Sequence, residues 1–164
     1  MTDKIVPCLW YDRGQALKAV EFYMSLGLPD SRIDQVNTSP SDNPHSGHAA
    51  GEELTVAFTL AGRSFLALAG GPAFPHTEAV SFTILTDDQA ETDRLWDAIV
   101  SNGGAESACG WCKDRWGVNW QITPRRLIEV VTHPDPDVAR AGFEAMMTMT
   151  KIDIAALDRA VGDA

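Results

Sequence analysis

The 164-residue chain is poor in basic residues, since lysine and arginine number 13 against 23 aspartates and glutamates, which gives a formal net charge of −10. A protein that binds nucleic acid through its phosphates needs a basic surface, so nucleic acid is a poor candidate partner. The chain also lacks an apolar run near the roughly 18–20 residues that span a membrane. Its N-terminal residues, MTDKIVPCLWYD, lack the basic-then-apolar order of a secretion signal. These absences predict a cytoplasmic protein that binds neither nucleic acid nor a membrane.

Cysteine is scarce as well, with three residues at Cys8, Cys109 and Cys112. An odd number of cysteines in a chain without a secretion signal predicts reduced thiols and no disulfide framework. Apolar residues make up 45% of the chain and charged residues 22%, which is close to the composition of ordinary globular proteins. We therefore expect a folded chain with a real core, and its length fits one domain.

Predicted elements in the first half follow the order strand, helix, strand, strand, strand. A strand-like run at 4–11 precedes a helix with Asp12 as its predicted N-cap and Gly27 just past its end. Three more strands are predicted at 32–36, 54–60 and 64–69, the last two joined by the loop Ala61-Gly62-Arg63. Residues 37–53 are rich in Pro, Ser, Asn and Gly, so they predict a mobile loop that supports no packed element.

The same order recurs in the second half. Residues 79–86 predict a strand, Asp88 and Glu91 form a possible capping box for the next helix, and Gly103 ends that helix. Three strands are then predicted at 106–113, 118–123 and 127–132. The chain therefore predicts an α+β fold of paired βαβββ modules, at about 4–69 and 79–132, within one domain spanning 1–164. Residues 134–162 predict a helical appendage whose helices begin at Asp135 and Asp153.

Several motifs within this order of elements resemble one known family. They are Leu9-Trp10-Tyr11-Asp12, Glu21-Phe22-Tyr23, Ala69-Gly70-Gly71-Pro72 and the run CGWCKDRWGVNWQITP from Cys109 to Pro124. Together with the duplication, they closely resemble the PhnB-like branch of the vicinal oxygen chelate superfamily, which includes glyoxalases, extradiol dioxygenases and antibiotic-resistance proteins. The resemblance implies strands curved around a small apolar cavity, a small-molecule ligand and a homodimer.

The branch often carries the label of a demethylubiquinone methyltransferase. The turn Arg13-Gly14-Gln15 after the first strand has one glycine where a turn that cradles a nucleotide-like cofactor needs several, so the sequence does not support that label.

In metal-binding members of the superfamily, strands of each module supply His, Glu or Gln ligands to a divalent ion that acts as a Lewis acid. By resemblance, Gln121 occupies such a position, but the other ligand positions hold residues that cannot bind a metal: Ile5 or Val6, Ala79 or Val80, and residues 67–69. One neutral amide does not bind a divalent ion tightly. We therefore predict no cofactor, with a divalent metal as the alternative, and interpret Gln121 as a hydrogen-bonding group that orients a ligand or as a satisfied interior residue.

Strand alternation places Gln121 on one face with Asn119 and Thr123, and turns Trp120 and Ile122 to the other face. The remaining candidate ligand-binding residues are Trp10, Cys109, Trp111, Lys113 and Trp116. The tryptophans could line a flat hydrophobic cavity or belong to an ordinary core. The run Lys113-Asp114-Arg115 predicts either a turn with a solvated ion pair or a cavity rim at which Lys113 or Arg115 contacts an anionic substrate.

Two further motifs could bind a metal. The pair Cys109-x-x-Cys112 together with His45-x-x-His48 could form a composite zinc site. The cysteines fall in a strand-like run and not at a helix N-terminus, which argues against a redox pair and favours reduced cysteines in a pocket wall.

These observations predict a small-molecule-binding protein of the vicinal oxygen chelate type without an intact metal triad. If the protein is an enzyme, the sequence does not assign its reaction. Two alternatives stay open. One is a metal-dependent lyase or dioxygenase of the glyoxalase type, and the other is a non-catalytic binder that sequesters a planar hydrophobic compound.

Overall fold

The computed structural model describes residues 3–44 and 46–162, and the chain divides into two compact units, Met1–Pro75 and His76–Ala164. The first unit has four strands and one helix: β1 (Cys8–Tyr11), α1 (Ala16–Ser25), β2 (Arg32–Thr38), β3 (Glu53–Leu60) and β4 (Arg63–Ala69). Its sheet has the order β1-β4-β3-β2, in which β1 pairs parallel with β4 and the other pairs are antiparallel.

The second unit repeats this arrangement and adds three helices. Its elements are β5 (Ser81–Thr86), α2 (Gln89–Ser101), β6 (Ala105–Glu106), β7 (Trp111–Lys113), β8 (Asn119–Pro124), α3 (Arg125–Val131), α4 (Pro136–Met146) and α5 (Ile154–Val161). The sheet order is β5-β8-β7-β6, again with the first strand parallel to the last. The predicted α+β fold of two βαβββ modules followed by C-terminal helices is therefore confirmed.

In the first unit, helix α1 buries one face against the sheet, with Ala16, Ala19, Val20 and Tyr23 at helical spacing. The hydroxyls of Tyr23 and Tyr11 lie 2.9 Å apart, and the ring of Phe58 contacts that of Tyr23. Tyr11 and Phe58 therefore point toward the helix. Because side chains alternate along a strand, Trp10 lies on the opposite face of this sheet.

In the second unit, helix α2 covers one face of the sheet. Its Thr92 hydroxyl lies 2.6 Å from that of Thr86, and Trp96 donates to a carboxylate oxygen of Glu106 at 3.3 Å. Glu106 pairs with Cys112 on the next strand, and Cys112 pairs with Trp120, so these three residues lie on the same covered face. The other face of the same sheet is the one that holds Gln121.

Helix α1 does not begin as predicted. The Asp12 carboxylate accepts a hydrogen bond from the neighbouring Arg13 N–H, and the helix starts at Ala16. The first turn of the helix is capped by a residue from a distant strand: the Glu53 carboxylate accepts from the Leu17 N–H at 3.1 Å. The prediction of Asp12 as N-cap is therefore wrong. The caps predicted for α2, α4 and α5 are confirmed, as are the positive-φ glycines Gly27 and Gly103 just past their helices.

Two predicted strands also differ from the structure. The sequence predicts a strand at 127–132, but these residues lie mainly in helix α3, whose Leu127 packs against Ile152 and Leu157. The predicted strand at 106–113 is two short strands separated by a turn in which Cys109 has φ +59°.

The segment between β2 and β3 is more ordered in its contacts than its composition suggests. Ser39 and His48 are buried, and a bridge joins Asn43 to His48. The expectation that this segment supports no packed structure is wrong for these residues, and its mobility stays a prediction. None of the helices within residues 3–44 and 46–162 is long and apolar enough to span a membrane.

Candidate functional site

The uncovered face of the second unit's sheet carries paired polar and aromatic side chains. Trp111 on β7 is the direct antiparallel partner of Gln121 on β8, and Lys113 is the partner of Asn119. On the other side of β8, Ser81 pairs with Asn119 and Thr83 with Gln121. Directly opposed side chains in a sheet lie within contact distance, so these residues form one continuous surface.

Gln121 is fixed on this surface by one hydrogen bond. Its amide nitrogen donates to the Ser81 hydroxyl oxygen at 2.8 Å. The side chain is half-buried, and no described residue donates to its amide oxygen. A glutamine can use both ends of its amide at once, so Gln121 has its amide oxygen available as an acceptor for a ligand while its nitrogen donates to Ser81.

The turn between β7 and β8 is built around Asp114, which is buried. One carboxylate oxygen accepts from the backbone N–H groups of Trp116 and Val118 at 2.9 and 3.1 Å, and the other accepts from the Trp120 indole at 3.0 Å. The predicted solvated ion pair is therefore wrong for Asp114. Its hydrogen bonds close the turn, and the closed turn sets the register that places Trp111 beside Gln121.

A polar recess of about 210 Å³ lies at the Lys113 end of the same surface. It is lined by Lys113, Arg115, Asn119, Glu78 and His76, together with Asp114, Ala105 and three glycines. The Arg115 guanidinium lies 5.6 Å from the ring centre of Trp116, which is a cation–π contact at the rim. Lys113 and Trp116 thus lie near the surface that carries Gln121.

The two cysteines of the Cys-x-x-Cys motif have different surroundings. Cys112 is 1% exposed on the face covered by α2, and burial, with the nearby charges of Asp114 and Glu106, raises the pKa of its thiol to about 12. Cys112 therefore cannot line the uncovered face. The interpretation of the two cysteines as pocket-wall residues is wrong for Cys112. Cys109 lies in the preceding turn, where its N–H donates to the Met149 carbonyl at 2.8 Å.

Trp10 belongs to the first unit, where it is held by the glycine-rich segment after β4. Its indole N–H donates to the Gly71 carbonyl at 2.7 Å, and its ring meets Phe74 edge to face at 4.8 Å. A Cβ atom at Gly70 would lie 2.3 Å from this ring, so only glycine fits there. The sequence signalled this contact only through the motif Ala69-Gly70-Gly71-Pro72.

Of the predicted histidine pair, His45 and His48, the structure describes only His48. His45 lies outside the described residues. His48 is buried, with Nδ1 2.8 Å from the Ser46 hydroxyl, beside a cleft of about 390 Å³ lined by Arg13, Gly14, Glu52 and Glu53. Within residues 3–44 and 46–162, no group of three His, Cys, Asp or Glu side chains could hold a metal ion.

The surroundings of Gln121 also do not fit a divalent ion. Its neighbours on the uncovered face are Ser81, Thr83 and Trp111, which offer hydroxyls and an indole. Divalent ions of the type used by metal-dependent relatives prefer imidazole and carboxylate ligands. The donor set on this surface suits an organic ligand better than a metal.

Comparison with known proteins agrees with the fold. The model of the family described as 3-demethylubiquinone-9 3-methyltransferase matches residues 3–123. A PhnB protein from Bacillus cereus is 26% identical with a TM-score of 0.64, over 74% of this chain and 99% of that one. Protein PA1353 from Pseudomonas aeruginosa is 21% identical with a TM-score of 0.59, over 75% and 98%. No curated protein matches the sequence.

The repeated βαβββ units place the chain in the vicinal oxygen chelate class of folds. Within that class, the chain belongs to the 3-demethylubiquinone-9 3-methyltransferase family, the PhnB-like branch that its motifs resemble. The helices α3, α4 and α5 follow the matched residues.

The family description implies a methyl donor, and the first βα turn does not fit one of the nucleotide type. That turn holds one glycine, Gly14, and the Leu17 N–H in the first turn of α1 already donates to the carboxylate of Glu53. A negative charge at this helix N-terminus occupies the place where an anionic cofactor group would bind. We derive no methyl-transfer step from this structure.

Proposed function

We propose that this protein binds a planar, largely apolar small molecule on the uncovered face of its second sheet, over Trp111 and Gln121, without a metal. The observation that carries the proposal is the direct pairing of these two residues on that face. An indole supplies a flat apolar contact, and an amide beside it supplies a directional hydrogen bond, which is the usual composition of a small-molecule site.

The chemistry of the surface suits binding and orientation. A ligand hydroxyl or N–H can donate to the free amide oxygen of Gln121, while Ser81 keeps the amide from rotating. The other neighbours on the face, Thr83 and Asn119, carry a hydroxyl and an amide, which do not ionise near neutral pH. We assign no reaction to this surface. We further propose a single-domain, cytoplasmic homodimer, as the resemblance to the PhnB-like branch implies.

The neutral planar compound 2-naphthamide is a suitable probe, with binding measured by isothermal titration calorimetry. Replacing Gln121 with alanine should weaken binding about tenfold, because it removes one hydrogen bond at a partly desolvated position. Gln35 on β2 of the first unit gives a matched control, since it is an exposed strand glutamine that bonds Asn37. Gln35→Ala should leave the dissociation constant unchanged.

A purely structural role for Gln121 makes the opposite forecast. In that case Gln121→Ala would lower the free energy of unfolding and leave binding per folded molecule unaltered. Urea unfolding of the same two variants, run beside the titrations, separates these outcomes. Absence of any binding by the unaltered protein would reject the proposed function.

A further inference from the structure

Two cations beside the proposed site, Lys113 and Arg115, have no acidic partner among the residues that the structure describes. In the second unit, five basic residues form salt bridges with nearby carboxylates: Arg94, Arg125, Arg126, Arg140 and Lys151. Lys113 and Arg115 form none with any residue that the structure describes, although the chain carries an excess of acids. Both line the recess of about 210 Å³.

The negative side chains of this recess leave these cations available. Both carboxylate oxygens of Asp114 already accept hydrogen bonds, one from the N–H groups of Trp116 and Val118 and the other from the Trp120 indole. Glu78 also lines the recess, but its side chain is exposed and forms no salt bridge with a described residue. The recess therefore offers two cationic donors with one exposed, competing carboxylate.

The recess continues the surface on which Trp111 and Gln121 lie. Lys113 and Asn119 form the pair next to Trp111 and Gln121 along the same two strands. Residues two apart on a strand are separated by roughly 7 Å, about the length of a fused aromatic ring pair. The recess is smaller than the roughly 300–1,000 Å³ typical of whole ligand sites, so it suits one group of a ligand and not the entire molecule.

We propose that Lys113 and Arg115 bind a carboxylate group of the ligand in this recess, while the planar body of the ligand packs on Trp111. The ligand class is thus a planar aromatic or polyene carboxylate. This inference rests on the proposed function, because it extends the same site from the pair Trp111 and Gln121 to the neighbouring Lys113. An arginine and a lysine acting together bind a carboxylate by charge-assisted hydrogen bonds, which are stronger than neutral ones.

The test compares 2-naphthoate with 2-naphthamide, which share one planar body and differ in charge. The unaltered protein should bind the carboxylate about tenfold more tightly at low ionic strength, and added salt should reduce the preference. Lys113→Gln and Arg115→Gln should each bring the ratio of the two dissociation constants toward one, because each removes one of the two cations of the recess. Glu78→Gln should increase the preference, since it removes the competing carboxylate.

Arg159→Gln is the matched control, since Arg159 is an exposed cation on α5 that also forms no salt bridge with a described residue. It changes the net charge by the same amount and should leave the ratio unchanged. Equal binding of both compounds by the unaltered protein, or a ratio that Arg159→Gln lowers as much as Lys113→Gln does, would overturn the carboxylate inference alone. Failure of both compounds to bind would instead overturn the proposed function and this inference with it.

Discussion

The amide nitrogen of Gln121 donates a 2.8 Å hydrogen bond to the hydroxyl oxygen of Ser81 on the adjacent parallel strand. The bond is diagonal, because Ser81 is the register partner of Asn119 while Thr83 is that of Gln121. It holds one end of the amide and leaves the amide oxygen for a ligand. Ser81 is therefore a positioning residue that acts through Gln121.

Removing the Ser81 hydroxyl should loosen Gln121 and weaken ligand binding. We expect Ser81→Ala to raise the dissociation constant for 2-naphthamide a few-fold, and to have no further effect in a Gln121→Ala background, because the two changes remove one shared interaction. Calorimetric titration of the two single variants and the double variant measures this coupling. Thr83→Ala is the control. Fully additive effects of Ser81→Ala and Gln121→Ala would contradict the positioning role.

The start of helix α1 gives a second prediction, on stability. Glu53→Ala removes the carboxylate that accepts from the Leu17 N–H and should cost about 1 kcal/mol of unfolding free energy, the usual value of a helix N-cap. Asp12→Ala should cost less, because the Asp12 carboxylate accepts from the adjacent Arg13 N–H, which is not part of the helix. Urea unfolding of both variants measures the difference. A larger loss of unfolding free energy for Asp12→Ala than for Glu53→Ala would show that Asp12 caps the helix.

This helix start shows where sequence reasoning succeeds and where it stops. Asp88 and Asp153 cap their helices as predicted, because the bond runs to an N–H three residues later and the pattern is local. Glu53 reaches α1 from a strand far along the chain. No local pattern shows such a partner, so the sequence favours Asp12, the acidic residue just ahead of the helix.

The same distinction explains the error at 127–132. This segment contains several β-branched apolar residues, which predict a strand, yet Leu127 lies in a core with Ile152 and Leu157. Tertiary packing by residues late in the chain selects the helix over the local preference.

For the candidate site, alternation predicted which residues share a face with Gln121. The pairing of Gln121 with Trp111 could not be predicted, because it depends on the register that the turn at Asp114 sets.

The attachment of the C-terminal helices gives a third prediction. The Gln89 side chain donates to the Ile152 carbonyl at 3.0 Å and accepts from the Ile154 N–H at 2.8 Å, which ties α2 to the segment ahead of α5. Gln89→Ala should destabilise this attachment by about 1–3 kcal/mol, since two backbone groups lose their partners. Hydrogen exchange at the Ile154 amide should become faster.

Gln89→Glu separates the two bonds. A carboxylate still accepts from the Ile154 N–H but cannot donate to the Ile152 carbonyl or to the Asp93 carboxylate, which also repels it. The Ile154 amide should therefore exchange more slowly than in Gln89→Ala, while the unfolding free energy falls below that of the original protein. Unchanged exchange at Ile154 in Gln89→Ala would show that the α5 segment is held by other contacts.

The fourth prediction concerns the dependence of stability on alkaline pH. Burial raises the pKa of the Cys112 thiol from 9.0 to about 12, so the folded protein keeps this proton where the unfolded chain loses it. The stabilising contribution of the protonated thiol is complete below pH 9 and is lost as pH rises from there toward about pH 12. Between about pH 8 and about pH 10, the unfolding free energy should fall by roughly 1.4 kcal/mol on this account. Urea unfolding at the two pH values measures the total change, to which Cys8, whose pKa is also raised by burial, contributes as well.

The Cys112→Ala variant isolates the Cys112 thiol from the contribution of Cys8. It should be less stable than the original protein at about pH 8, because it leaves a small cavity on the face covered by α2. The cavity cost does not depend on pH, whereas the thiol contribution does. The stability gap between the two proteins should therefore narrow by roughly 1.4 kcal/mol on going to about pH 10. A gap that stays constant would mean that Cys112 titrates at the same pH in the folded and unfolded chains, and would contradict its placement in the buried layer between the sheet and helix α2.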